Sequence, residues 1–118
     1  MSQLGSWKIG IRQSKRQIMN ITTFDFQDKI EDGISLVKFQ ANWCGPCKRY
    51  APTFDAFAEE NPNIKCFSVD AEAEQDLCTE FNVSSIPVTL LFKDGELRET
   101  KNGILTKDQL NELIKSCG

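Results

Sequence analysis

Trp43-Cys44-Gly45-Pro46-Cys47-Lys48 places two cysteines three positions apart, with a glycine and a proline between them. That spacing serves three kinds of chemistry: half of a four-thiolate metal site, a covalent lock on a loop, or a pair that exchanges disulfides. A structural zinc site wants a second close pair, but the next thiols are Cys66, after 18 intervening residues, and Cys78, after 11 more. No metal site is expected. A bond closing so short a ring constrains little of the unfolded chain, which makes a structural lock a poor use of it. Exchange remains. The pair falls between a strand pattern and a helix pattern, so Cys44 is expected at a helix N-terminus, where unpaired backbone N–H groups and the positive dipole end stabilise a thiolate.

Reading outward, Leu36 to Ala41 is the strand before the pair, and Tyr50, Phe54, Phe57 and Ala58 give the helix after it, running toward Asn61-Pro62. Upstream, a short extended piece near Ile21 leads to Thr23 as an N-cap and a brief helix carrying Phe24, Phe26 and Ile30, closed by Asp32-Gly33. Downstream come a strand at Ile64 to Val69, a helix from Gln75 to Phe81 and a buried strand at Val88 to Phe92. Asp94-Gly95 reads as a hairpin turn into a strand at Glu96 to Lys101, and Thr106 caps a last helix with Leu110, Leu113 and Ile114. The order β-α-β-α-β-α-β-β-α combines early crossovers with a late hairpin. It predicts an α/β fold with a mixed central sheet and helices on both faces.

Composition limits the chemistry. The chain of 118 residues suits one domain, and its formal net charge of −3 offers no basic field for a nucleic-acid backbone. The longest clear apolar run, Val88 to Phe92, is far short of the ~18 residues that cross a bilayer, so no membrane partner is expected. Histidine is absent, which removes the commonest general base and the commonest metal ligand together. Five cysteines leave at least one unpaired and fit a reducing compartment better than a secreted disulfide scaffold.

Residues 1–24 hold Lys8, Arg12, Lys15 and Arg16 and no acid, whereas the rest of the chain carries all 17 carboxylates. Residues 1–19 are therefore read as a basic extension to a domain at 20–118. Leu4, Trp7, Ile11 and Ile18 recur at roughly helical spacing, which matches a transit peptide; a plain tail, an alternative start at Met19 and a short docked helix match it as well.

With these residues in view, the chain resembles the thioredoxin family from Asn20 to Gly118. The hexapeptide at 43–48 matches the family's motif in full, Pro52 falls where its second helix kinks, and Val69-Asp70 stands where its third strand ends. Ile86-Pro87 matches its cis-proline loop, Phe92-Lys93-Asp94-Gly95-Glu96 its hairpin, and Gly103 the glycine that closes its groove. The resemblance implies the thioredoxin fold and reduction of protein disulfides through a redox disulfide between Cys44 and Cys47. Cys44 is then the exposed, low-pKa nucleophile and Cys47 the more buried resolving thiol, while Trp43, Gly45, Pro46, Ile86, Pro87 and Gly103 form the substrate surface. It further implies no bound cofactor, electrons from NADPH through a thioredoxin reductase, disulfide-containing protein substrates, a monomer, and a cytoplasmic setting, or an organelle matrix if residues 1–19 are a transit peptide.

One departure stands out. The family carries a buried aspartate at the position of Lys38 and often a lysine at that of Cys66, and Gln40 replaces a common aromatic. Lys38 either modulates the thiol pKa from behind the dithiol or snorkels to solvent. Cys66, Cys78 and Cys117 read as packing or peripheral thiols. Two other functions are weighed against disulfide reduction: glutathione-linked exchange or isomerisation, disfavoured by the Gly-Pro insert, and a scaffold that uses the groove without turnover.

Overall fold

A computed structural model describes residues 18–117. The expectations for residues 1–17 lie outside it. Nine elements follow one another: β1 (Met19–Asn20), α1 (Phe26–Ile30), β2 (Ile34–Gln40), α2 (Gly45–Glu60), β3 (Lys65–Asp70), α3 (Gln75–Glu80), β4 (Val88–Lys93), β5 (Glu96–Asn102) and α4 (Lys107–Cys117). The strands form one sheet in the order β1-β3-β2-β4-β5. β3 pairs parallel with β1 and β2, while β4 pairs antiparallel with β2 and β5. This is the expected mixed α/β sheet.

Strand alternation sorts the core into two layers. Val37, Phe39, Val69, Val88, Leu90 and Phe92 meet Phe26 and Ile30 of α1 and Leu77 of α3. On the other face Leu36, Cys66 and Leu91 meet Tyr50, Phe54 and Phe57 of α2 and Leu110 and Leu113 of α4. Ile18, the first described residue, packs against this second layer.

Two local expectations are corrected. Thr23 does not cap α1: its N–H and hydroxyl both donate to Glu74 Oε1, at 2.9 and 3.0 Å, and the residue before α1 is Asp25, whose carboxylate instead accepts the Thr22 N–H at 2.8 Å. Phe24 is not a core residue either. It is 98% exposed, because α1 begins only at Phe26 and the preceding turn points it outward. Thr106, by contrast, caps α4 as read, in a reciprocal box with Gln109: Gln109 N–H donates to Thr106 Oγ1 at 3.1 Å, and Thr106 N–H to Gln109 Oε1 at 2.8 Å.

The β4–β5 hairpin turns at Asp94 and Gly95, with φ of 51° and 86°. Two positive φ values give the turn whose twist suits a two-residue hairpin, and aspartate and glycine tolerate them best. Asp94 also accepts the Gly33 N–H on its Oδ1 at 2.8 Å and donates its own N–H to Gly33 O at 2.9 Å, pinning the hairpin to the turn before β2. A Cβ at Gly95 would sit 3.3 Å from Gln27 Nε2. Gly95→Ala is therefore expected to lower stability by about 1–2 kcal/mol, a fall of roughly 5 °C in Tm. Thermal unfolding followed by circular dichroism checks this; an unchanged Tm means that the turn relaxes freely.

Candidate active site

Topology gathers the site at one end of the sheet. β2 ends at Gln40 and leads into α2. β4 runs antiparallel to β2, so Ile86-Pro87, just before it, arrives at the same end; β5 returns there, bringing Gly103. β3 ends there too, because Gln40 and Asp70 are register partners in a parallel pair. Loops from four strands thus converge where side chains can meet.

Cys44 is the N-cap of α2, with extended backbone, and Gly45, Pro46 and Cys47 are the first three helical residues. Pro46 fits there because first-turn N–H groups have no partner within the helix. Cys44 and Cys47 are joined in a disulfide, with Cα atoms 5.2 Å apart. The Cys47 N–H donates to Cys44 Sγ at 3.2 Å, so the sulfur takes the place that an oxygen occupies in an ordinary cap. Ala41 and Ile86 pack around the pair. Cys44 Sγ lies 3.9 Å from the Ile86 carbonyl oxygen, and the Ile86-Pro87 peptide is cis. Gly103, at φ 88°, donates its N–H to Pro87 O at 2.8 Å and so stands against this loop. Gly45 and Pro46 are exposed beside the sulfurs.

The expected exposure of Cys44 is corrected. It is 4% exposed and Cys47 2%, because the disulfide ties both sulfurs into the small cluster under Ile86. The two differ by position along the helix start rather than by burial.

Trp43 is 67% exposed, and its indole N–H donates to Glu72 Oε2 at 2.7 Å. Glu72 was not singled out in the sequence. It sits in a loop shaped by Asp70, whose Oδ1 accepts the N–H groups of Glu72 and Ala73 at 2.9 and 3.3 Å. The sequence signal was the acid-rich stretch after β3, which by itself reads as a solvated loop.

Lys38 does not snorkel. It is 3% exposed, with its ammonium 5.1 Å from the centre of the Phe54 ring, two turns along α2 from Cys47 rather than against the sulfurs. Burial pushes its pKa below the ordinary lysine value, and Asp55 partly offsets this. Cys66 is buried and donates its thiol to Ile64 O at 3.8 Å; Cys78 and Cys117 are half-buried, and burial pushes the Cys78 thiol up. None of the three takes part in the cluster around Cys44. Pro52 lies inside α2, on its exposed side.

A vicinal cysteine pair capping a helix at the convergent end of a mixed sheet defines a thiol-disulfide oxidoreductase. Comparison with known proteins narrows the class. The family model described as thioredoxin matches residues 17–116. The thioredoxin of Chlamydia muridarum is 43% identical over 90 residues, spanning 76% of this chain and 88% of that protein. That of Bacillus subtilis is 36% identical over 98 residues, spanning 82% and 94%. The oxidised crystal structure of mitochondrial thioredoxin 3 from Saccharomyces cerevisiae superposes with a TM-score of 0.77 at 28% identity, covering 84% of this chain and 94% of that one. The chain belongs to the thioredoxin family.

The Trp43–Glu72 contact yields a prediction. Removing the carboxylate leaves the exposed indole without its anchor, so Glu72→Ala in a Trp7→Phe background is expected to lower the fluorescence anisotropy of Trp43 and to raise KM for a protein disulfide about threefold with kcat unchanged. Unaltered anisotropy and KM mean that the contact orients nothing.

Proposed function

We propose that the chain is a general protein-disulfide reductase in which Cys44 attacks and Cys47 resolves. The observation that carries this reading is the disulfide at the start of the 16-residue helix α2, with the Cys47 N–H aimed at Cys44 Sγ. An N–H and a positive helix end directed at one sulfur favour it as an anion, hence as attacking thiolate and as leaving group. The Cys44 thiolate attacks one sulfur of a substrate disulfide, whose S–S bond breaks. The other substrate sulfur leaves with the electron pair and takes a proton from water. Cys47 gives up its proton, attacks Cys44 Sγ and forms the protein disulfide, releasing the second substrate thiol. Two electrons pass to the substrate, and the exchange needs no bound cofactor.

Trp43, Gly45, Pro46, Ile86, Pro87 and Gly103 are the surface offered to the substrate; their shared position at one end of the sheet supports this. The regenerating electrons come from NADPH through a thioredoxin reductase. Support for that donor is family membership, since thioredoxins work with a reductase and disulfide substrates.

With dithiothreitol as donor, the protein is expected to reduce insulin disulfides, and Cys44→Ser to abolish turnover. Cys47→Ser is expected to trap substrates covalently on Cys44, released on reducing gels and absent from the double serine variant. Turnover by Cys44→Ser equal to that of the unaltered protein, or trapping on Cys66, Cys78 or Cys117, sinks the assignment.

Three thiols besides the pair favour a reducing cytoplasm. The basic, acid-free residues 1–19, ahead of a domain at 20–118, favour an organelle matrix as a second reading. Import of the full chain into isolated mitochondria, lost on deleting residues 1–19, is the outcome expected of a transit peptide; no import leaves the cytoplasmic reading.

A further inference from the structure

The central strand β2 is buried on both faces, and alternation puts Lys38 on the α2 face beside Leu36. Among the described residues that are buried, Lys38 is the one with a charged side chain; the other polar ones are Ser35, Ser68 and Thr89. Ser68 on β3 and Thr89 on β4 are its register partners, one on each side. Side chains paired in this way share a face. From α2, Phe54 covers the ammonium at 5.1 Å. Tyr50 packs against Phe54 at a tilt of 59°, with ring centres 5.7 Å apart, and its hydroxyl shares a 2.7 Å hydrogen bond with Thr89 Oγ1. The Lys38 amine and the hydroxyls of Ser68, Thr89 and Tyr50 therefore form a polar island in an apolar layer, beneath the helix whose first turn bears the dithiol.

The titratable groups around this island are few. α2 supplies Tyr50 and Asp55, and β3 supplies Cys66; Cys47 lies further along α2, in the cluster around Cys44. Burial pushes Tyr50 up to about 12, so it remains a neutral phenol at working pH. Asp55 acts on Lys38 only through space, and no ion pair to Lys38 forms among the described residues. A buried cation is costly to fold around, and Asp55 offsets only part of that cost; once the disulfide is reduced, Cys47 on the same helix offers a further anion. Phe54 and Cys47 are seven residues apart, which puts them on one stripe of α2 about 10 Å apart along the axis. Lys38 lies under Phe54, and a unit charge about 10 Å away in a protein interior alters an ionisation constant by about tenfold.

We propose that Lys38 is a positioning residue for the resolving step: its buried ammonium favours Cys47 as the thiolate that attacks Cys44. This rests on the reading that Cys47 resolves. In the step itself the Cys47 thiolate forms the Cys44–Cys47 bond, the bond from Cys44 to the substrate sulfur breaks, and that sulfur leaves with the electron pair to be protonated by water. Lys38 keeps its proton throughout and acts by attraction alone. The coupling is reciprocal. Reduction creates the anion and so raises the pKa of Lys38; oxidation removes the anion and lets it fall.

The experiment uses the full chain as unaltered protein, Lys38→Met and Lys38→Arg. Cys47 is titrated by the ¹³C shift of its β carbon in the dithiol protein. The resolving step is followed by the second release of 5-thio-2-nitrobenzoate after a mixed disulfide forms at Cys44, a phase that Cys47→Ser lacks. In Lys38→Met the Cys47 midpoint is expected to rise by about one pH unit and the second release to slow about tenfold below that midpoint, with Lys38→Arg restoring both. Unchanged or lowered midpoints in Lys38→Met, or a failure of arginine to rescue, overturn the proposal.

Lys38→Met removes a buried charge, so its Tm at neutral pH is expected to equal or exceed that of the unaltered protein. The sign follows from linkage: Lys38 binds its proton less tightly folded than unfolded, so methionine's advantage is full below the folded pKa and disappears as pH rises to the ordinary lysine value of 10.5. A measurement free of any variant is the Lys38 midpoint from its side-chain NMR signals in oxidised and reduced protein. A higher midpoint on reduction is expected, and equal midpoints overturn the proposal. Failure of the unaltered protein to reduce insulin would sink the reductase reading instead; an active protein with an indifferent Lys38→Met sinks only this one.

Discussion

Strand β2 is hydrogen-bonded along both edges, to β3 and to β4, and buried on both faces. A slip of one residue would exchange Leu36 and Lys38 with Val37 and Phe39 between the two core layers, so its register is locked by both. The C-terminal end of this strand is accordingly a fixed point, and α2 starts five residues beyond it. The cap geometry at Cys44, the approach of Ile86 and the turn at Trp43 are all measured from there. Had β2 been an edge strand, the loops of β3, β4 and β5 could not have flanked its end from both sides.

That locking has an electrostatic consequence. A central strand gives its side chains no route to water, so the one lysine in β2 stays in the interior, where charges act over longer distances than at the surface. The Tyr50–Thr89 hydroxyl pair belongs to the same arrangement. Each group satisfies the other, so that neither is left as an orphaned polar atom in the layer. The interior under α2 thus holds a buried lysine beside hydroxyl groups that satisfy one another.

The surface around the sulfurs is assembled differently, by short contacts between loops. Gly103 holds the Ile86-Pro87 loop through one backbone hydrogen bond, and Glu72 holds Trp43 through one side-chain bond. Asp70 shapes the loop that carries Glu72. Loops tied at a few points to a rigid sheet suit a site that receives varied protein surfaces: the strand ends set the positions, and the loop side chains can adjust.

The sequence alone determined the order of elements, the hairpin at Asp94-Gly95, the cap at Thr106, the two-faced sheet and the dithiol at a helix start. Each is a local pattern: a periodicity of two or nearly four residues, a turn residue at its place, or a pair of thiols one turn apart. It misplaced Thr23 and Phe24, because a capping residue and an aromatic near a helix start look alike whether they serve that helix or a loop beyond it. Only the tertiary structure gave Thr23 to Glu74, turned Phe24 to solvent and enclosed Cys44 as tightly as Cys47. It alone brought Glu72 to Trp43 and kept Lys38 under Phe54 rather than at the surface. These outcomes depend on which strand is central and which loops share an end of the sheet, and contacts between residues tens of positions apart leave no trace in local spacing.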